Sequence, residues 1–125
     1  MELGAYFKSI IEQDQAPVVI CDTEHTVIYM NPAAVERYGY AGGEQLLRRS
    51  IFDCHGPKTC ELMQRILDWF MESPQNNSGY EGPGTSENKD VYMVALRDDA
   101  GQVIGYYEKH EYRNAETRPK FWPVA

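Results

Sequence analysis

The sequence predicts an α+β fold, with about five antiparallel strands, flanking helices and one long helix lying over the sheet. Three observations carry this expectation. Residues 18–21 and 26–30 are β-branched-rich runs of strand length, separated only by Asp22-Thr23-Glu24-His25, so they read as a β-hairpin. In residues 57–73, Cys60, Leu62, Met63, Ile66, Leu67 and Phe70 recur at helical spacing. Residues 90–97 and 102–112 form two more strand-like runs, joined by Asp98-Asp99-Ala100-Gly101, whose final Gly suits a left-handed bulge.

Each element has a local cause. Residues 2–14 set Leu3, Tyr6, Phe7, Ile10 and Ile11 at spacings of three and four, which is one apolar stripe on a short helix. Such a stripe needs a surface, either its own domain or a second copy of the chain. In the hairpin, Asp22 can accept from the backbone two residues on, which favours a tight turn. Asn31 is a good N-cap, and Pro32 suits the first helical position because its missing N–H would be unpaired there anyway. That helix runs on to Tyr38 and is stopped by Gly39. The long helix is started by Pro57 and ended before Pro74. Residues 75–89 are rich in Gly, Asn, Ser and Pro and read mainly as loop. Beyond Asn114 the chain turns polar and then ends in Phe121-Trp122-Pro123-Val124-Ala125. An exposed Phe-Trp pair is costly to hydrate, so this tail is expected to dock on the domain or on a neighbour. The expected divisions are a leading helix over 1–13, one domain over 14–113 and a tail over 114–125.

The order strand, acidic turn, strand, Asn31-Pro32 helix start and Gly39-Tyr40 helix end resembles the opening of a PAS domain. Gly43-Glu44-Gln45-Leu46-Leu47 with Ser50-Ile51-Phe52-Asp53 resembles the next segment of that family, and residues 98–105 resemble the hairpin before its last strand. Two positions depart from the family's pattern, for His25 and Arg48 stand where Gly is common. The resemblance implies a third strand around residues 79–81 and a long helix that closes a ligand pocket against the sheet. It also implies a homodimer through Leu3, Tyr6, Phe7 and Ile10 of the leading helix, and a sensory role of prokaryotic type. A small molecule bound between long helix and sheet would shift the surface seen by an unidentified signalling protein in another chain.

Composition narrows the function. A chain of 125 residues has the common size of one domain and buries about two thirds of its unfolded surface. Twelve Lys and Arg against 19 Asp and Glu give a net charge of −7, which repels a phosphate backbone and argues against nucleic acid. No apolar run approaches the roughly 18 residues that span a bilayer, and the first residues do not read as a secretory leader. No membrane association is expected, and the chain reads as cytoplasmic. Three cysteines without periodic spacing read as free thiols rather than a disulfide framework.

The densest polar stretch is Asp53-Cys54-His55-Gly56-Pro57-Lys58-Thr59-Cys60. It resembles a Cys-His-Pro-Pro-Lys-Ser run in PAS modules found beside hemerythrin-like domains, matching at Cys54, His55, Pro57 and Lys58 and departing at Gly56 and Thr59. Glu108 also fits that group. Several readings stay open here. His55 is an axial haem ligand in one, since neutral imidazole binds iron, although haem-binding PAS domains usually carry that His inside the long helix. Zinc would find only Cys54, His55 and Cys60, one ligand short of a closed site. Cys60 sits where a helix dipole favours thiolate, but on an apolar stripe that favours an inert thiol. Flavin photochemistry of the light-oxygen-voltage type is not expected, because that motif's Cys is displaced here and its Asn and Gln are missing. In the plainest reading the stretch only caps the next helix.

The candidate pocket residues are Phe52, Cys54, His55, Met63, Ile66, Phe70, Tyr92 and Tyr106, with Tyr106 and Tyr107 obliged to face opposite ways. A pocket filled by its own Met63, Trp69 and Phe70 would instead make a ligand-free dimerisation adaptor. No Ser-His-Asp set, Gly-rich phosphate loop or evident carboxylate pair points to an enzyme.

Overall fold

The computed structural model describes residues 1–122. In chain order the elements are α1 (Gly4–Gln13), β1 (Val19–Asp22), β2 (Val27–Met30), α2 (Pro32–Arg37), α3 (Pro57–Glu72), β3 (Ser78–Pro83), β4 (Lys89–Arg97) and β5 (Val103–Tyr112). Short 3-10 turns at Gly39–Ala41, Gly43–Leu46 and Ile51–Cys54 fill the stretch between α2 and α3. The five strands form one antiparallel sheet in the order β2-β1-β5-β4-β3, as expected from the hairpin signals.

The two hairpin turns share one construction. In the first, the Asp22 carboxylate accepts from the N–H groups of Glu24 and Thr26, while His25 N–H donates to the Asp22 carbonyl. In the second, Asp98 accepts from Ala100 and Gln102, and Gly101 N–H donates to the Asp98 carbonyl. Both turns end on a left-handed residue, Gly101 at φ 85° and His25 at φ 66°. Arg48 is left-handed too, at φ 70°. The backbone therefore keeps the glycine geometry at both positions where the residue departs from it.

Helix α3 lies on one face of the sheet, pressing Met63, Ile66, Leu67 and Phe70 against Cys21, Met93 and Tyr106. Its opposite side leaves Leu62, Trp69 and Met71 exposed, so Trp69 fills no pocket. A bulge in β3 between Tyr80 and Gly82 shifts the register and directs Glu81 inward.

Asn31 is fully buried and ties three segments together. Its side-chain oxygen accepts from Ala34 N–H, capping α2, and from Val18 N–H ahead of β1, both at 2.9 Å. Its amide NH₂ donates to the carbonyls of Ile11, Asp14 and Ala16 at 3.0, 3.3 and 3.0 Å, holding the end of α1. No residue of α1 is buried, and Tyr6, Phe7 and Ile10 project into solvent with Leu3 just before them. Phe121 and Trp122 are also exposed, so the expected docking of the tail on its own domain does not occur there; residues 123–125 lie outside the described residues. Among the described residues no helix is long and apolar enough to cross a membrane.

Candidate functional site

The interior between α3 and the sheet is filled by the chain itself. His25 reaches in from the first hairpin turn, 5% exposed, and stacks on Phe52 with ring centroids 4.1 Å apart. Its Nδ1 lies 2.7 Å from the Tyr106 hydroxyl and its Nε2 2.8 Å from Gln64 Oε1. The Gln64 NH₂ donates to Asp68, which orients the amide so that its oxygen faces the imidazole. The ring therefore donates from Nε2 to Gln64, and in that tautomer Nδ1 accepts the Tyr106 O–H. Burial pushes the neighbouring Cys21 thiol up to about 12 and raises Tyr106 as well, so both stay protonated. Of the candidate pocket residues, Phe52, Met63, Ile66, Phe70 and Tyr106 belong to this packed region. Tyr92 lies on the opposite sheet face, where its ring meets Tyr80 at 5.4 Å and its hydroxyl accepts from Arg113.

Open space lies further along the same sheet face, towards the 3-10 segment. A chamber of about 60 Å³ is lined by Val19, Val27, Met30, Tyr38, Tyr40, Ala41, Leu46, Ser50, Ile51, Cys54, His55 and Glu108. A shallower hollow of about 200 Å³, lined by Arg49 and Asp53 together with Tyr40, Ala41, Leu46 and Cys54, adjoins it as a mouth. The chamber thus sits under the 3-10 segment rather than under α3.

Glu108 is the carboxylate in the chamber wall, 8% exposed. His55 Nε2 stands 3.9 Å from it, beyond hydrogen-bond length. Burial first, and Glu108 second, push the Glu81 carboxyl up to about 9, so Glu81 holds a proton at neutral pH. Nearby His110 is pushed down to about 4 by burial and stays neutral. Nothing in the residue pattern reveals the Glu81–Glu108 pair, since the β3 bulge sets which way Glu81 points. The inward parity of Tyr106, Glu108 and His110 on β5 is the readable half of it.

Cys60 lies 3.6 Å from the carbonyl oxygens of Phe52 and His55, to which a thiol donates and a thiolate would not, so its place is structural. Ser50 accepts from Phe52 N–H and caps the turn that carries Cys54 and His55 to the chamber wall. The residues around His55 do not fit a haem, because cofactor sites of that size occupy several hundred Å³ and this chamber has about 60 Å³.

Residues 11–109 match the PAS fold family, and the chain belongs to it. Its members are sensory domains of signal transduction. The chain is similar to the PAS domain of a protein from Colwellia psychrerythraea, with a TM-score of 0.67 and 14% identity over 90% of this chain and 98% of that one. It is similar to the PAS domain of BvgS from Bordetella pertussis, with a TM-score of 0.62 and 15% identity over 89% and 86% of the two chains. It also resembles the Aer2 receptor of Vibrio cholerae, described as a dual PAS-haem oxygen sensor, with a TM-score of 0.52 and 17% identity over 76% and 91%. At such identities the likeness is one of fold. No curated protein matches the chain in sequence comparison.

Proposed function

We propose that this PAS domain is a sensory module in which a small ligand occupies the chamber and the signal leaves by protein–protein contact through α1. One observation carries the reading. Val19 and Met30, both chamber walls, pair directly across β1 and β2, and each adjoins a residue of the tie that holds α1, Val18 and Asn31. A ligand that binds one packing of these walls better than another therefore biases where α1 stands. The exposed stripe of Leu3, Tyr6, Phe7 and Ile10 supports a homodimer, since one apolar face repeated across a two-fold axis is self-complementary. The output lies with whatever signalling element contacts α1, and the domain's own activity is binding rather than catalysis.

A second reading, a ligand-free dimerisation adaptor, is favoured by the way His25, Phe52 and Tyr106 fill the space under α3. Mass spectrometry of the purified protein together with sedimentation separates the two. The sensory reading expects a co-purified small molecule, or saturable binding of one, and a change in dimer affinity when it is removed. A dimer indifferent to every small molecule, and to filling the chamber by Leu46→Phe, would leave the adaptor. A monomer that Phe7→Glu with Ile10→Glu does not alter would remove the α1 interface from both.

A further inference from the structure

Taking a carboxylate out of water is costly unless a cation or several hydrogen-bond donors replace the lost hydration. Glu108 lacks both. It lines the chamber at 8% exposure, and among the described residues no N–H group donates a hydrogen bond to its side chain; His55 at 3.9 Å is the nearest basic group paired with it. The cations at that end of the sheet are committed elsewhere. Lys89 and Arg37 both bind Glu87, at 3.0 and 2.9 Å, and Lys89 also lies over the Tyr112 ring. Glu81, raised by burial, keeps its proton and supplies no positive charge either. One part of the remaining wall is aliphatic, formed by Val19, Val27, Met30, Leu46 and Ile51, and the other carries Tyr38, Tyr40, Ser50, Cys54 and His55.

These facts select among ligand chemistries. An anion would meet Glu108 with like charge in a poorly hydrated space. A calcium ion needs six to eight oxygen ligands, which one lining carboxylate and the hydroxyls of Ser50, Tyr38 and Tyr40 do not supply. A chamber of about 60 Å³ equals about two waters' share of the liquid, so the occupant is only a few atoms across. The geometry points to a compact primary ammonium of about one to three carbons as the ligand, its N–H groups donating to Glu108 and its alkyl end lying on the aliphatic wall. A charge-assisted hydrogen bond of this kind is about twice as strong as a neutral one, and the mouth beside Asp53 and Cys54 gives the ligand its path.

This assignment rests on the ligand-sensing reading and has its own test. Ethylammonium chloride is titrated into the isotopically labelled protein while amide resonances are followed, with ethanol and acetate as neutral and anionic probes of similar size. The expected result is saturable shifts around residues 50–55 and 108 with ethylammonium, weakened at least tenfold by Glu108→Gln, and none with acetate. Ala41→Leu, which fills the chamber and leaves Glu108 in place, should abolish the shifts too and keeps the test decisive if Glu108→Gln fails to fold. Ethanol or acetate binding as tightly as ethylammonium, or ethylammonium binding unchanged by both variants, overturns the ammonium assignment and leaves the sensory reading standing. No saturable shift from any probe overturns the assignment as well; the sensory reading falls with it only when the purified protein also carries no small molecule.

Discussion

The turns over residues 22–26 and 98–102 carry the same hydrogen bonds and the same left-handed residue, yet one uses Gly101 and the other His25. Left-handed backbone costs a residue with a Cβ roughly 1–2 kcal/mol, and glycine escapes that cost. The turn itself therefore gives no reason for histidine. Space supplies the reason: a Cβ at Gly101 would meet nothing within 4 Å, whereas the His25 side chain enters the core and finds Phe52, Tyr106 and Gln64. Strain at one turn is offset by packing and hydrogen bonds in the interior.

The largest test of this comparison is His25→Gly, which keeps the turn and empties the core. Relief of backbone strain is outweighed by the void and by the Tyr106 hydroxyl left without its acceptor, for a net loss of about 2–3 kcal/mol in denaturant unfolding. A loss under about 0.5 kcal/mol would mean that the imidazole does not hold α3 to the sheet. Tyr106→Phe should cost about 1–2 kcal/mol, because it strands His25 Nδ1 in a buried site, and the double variant with His25→Gly should cost less than the sum. Gly101→His puts the same residue in the same turn with no interior to enter, and should lose about 1 kcal/mol of stability. A Gly101→His protein as stable as the parent would show that the turn tolerates the twist freely, making His25 unstrained. Arg48→Gly is the smallest change, a gain of about 0.5 kcal/mol, since an exposed side chain at φ 70° gives up strain but adds the glycine's freedom to the unfolded chain.

Much of this architecture is legible from residue patterns, because local chemistry decides it. The Asn31-Pro32 helix start, the Asp22 and Asp98 turns and the apolar face of α3 depend on neighbours within a few positions. The site is less legible. A histidine in a polar turn reads as solvated, and only its place at a glycine position hints that its side chain is used. Tyr92 and Tyr106 look alike in sequence, but pairing places Tyr92 beside Tyr80 on the outer face while Tyr106 opposes Ala95 and Cys21 on the inner one. Register shifts at Ile20/Cys21 and Tyr80/Gly82 reset which side chains point inward, and alternation alone does not locate such shifts. His55 and Cys54 line the wall of a chamber bounded by β1, β2, β5 and the 3-10 segment rather than by α3.

The grip of Asn31 on α1 also has a mechanical side. The helix has ten residues, so at 1.5 Å per residue it is an arm of about 15 Å, held at its C-terminal end by the Asn31 amide. Rotation by about 10° at that joint carries the far end through about 2.5 Å, which exceeds what interlocked side chains absorb without repacking. A displacement at the joint too small to break its own hydrogen bonds thus arrives at Leu3 and Phe7 large enough to disturb whatever packs on that stripe. In the sensory role proposed above, leverage rather than any large rearrangement of the sheet would set how far a message from the chamber travels.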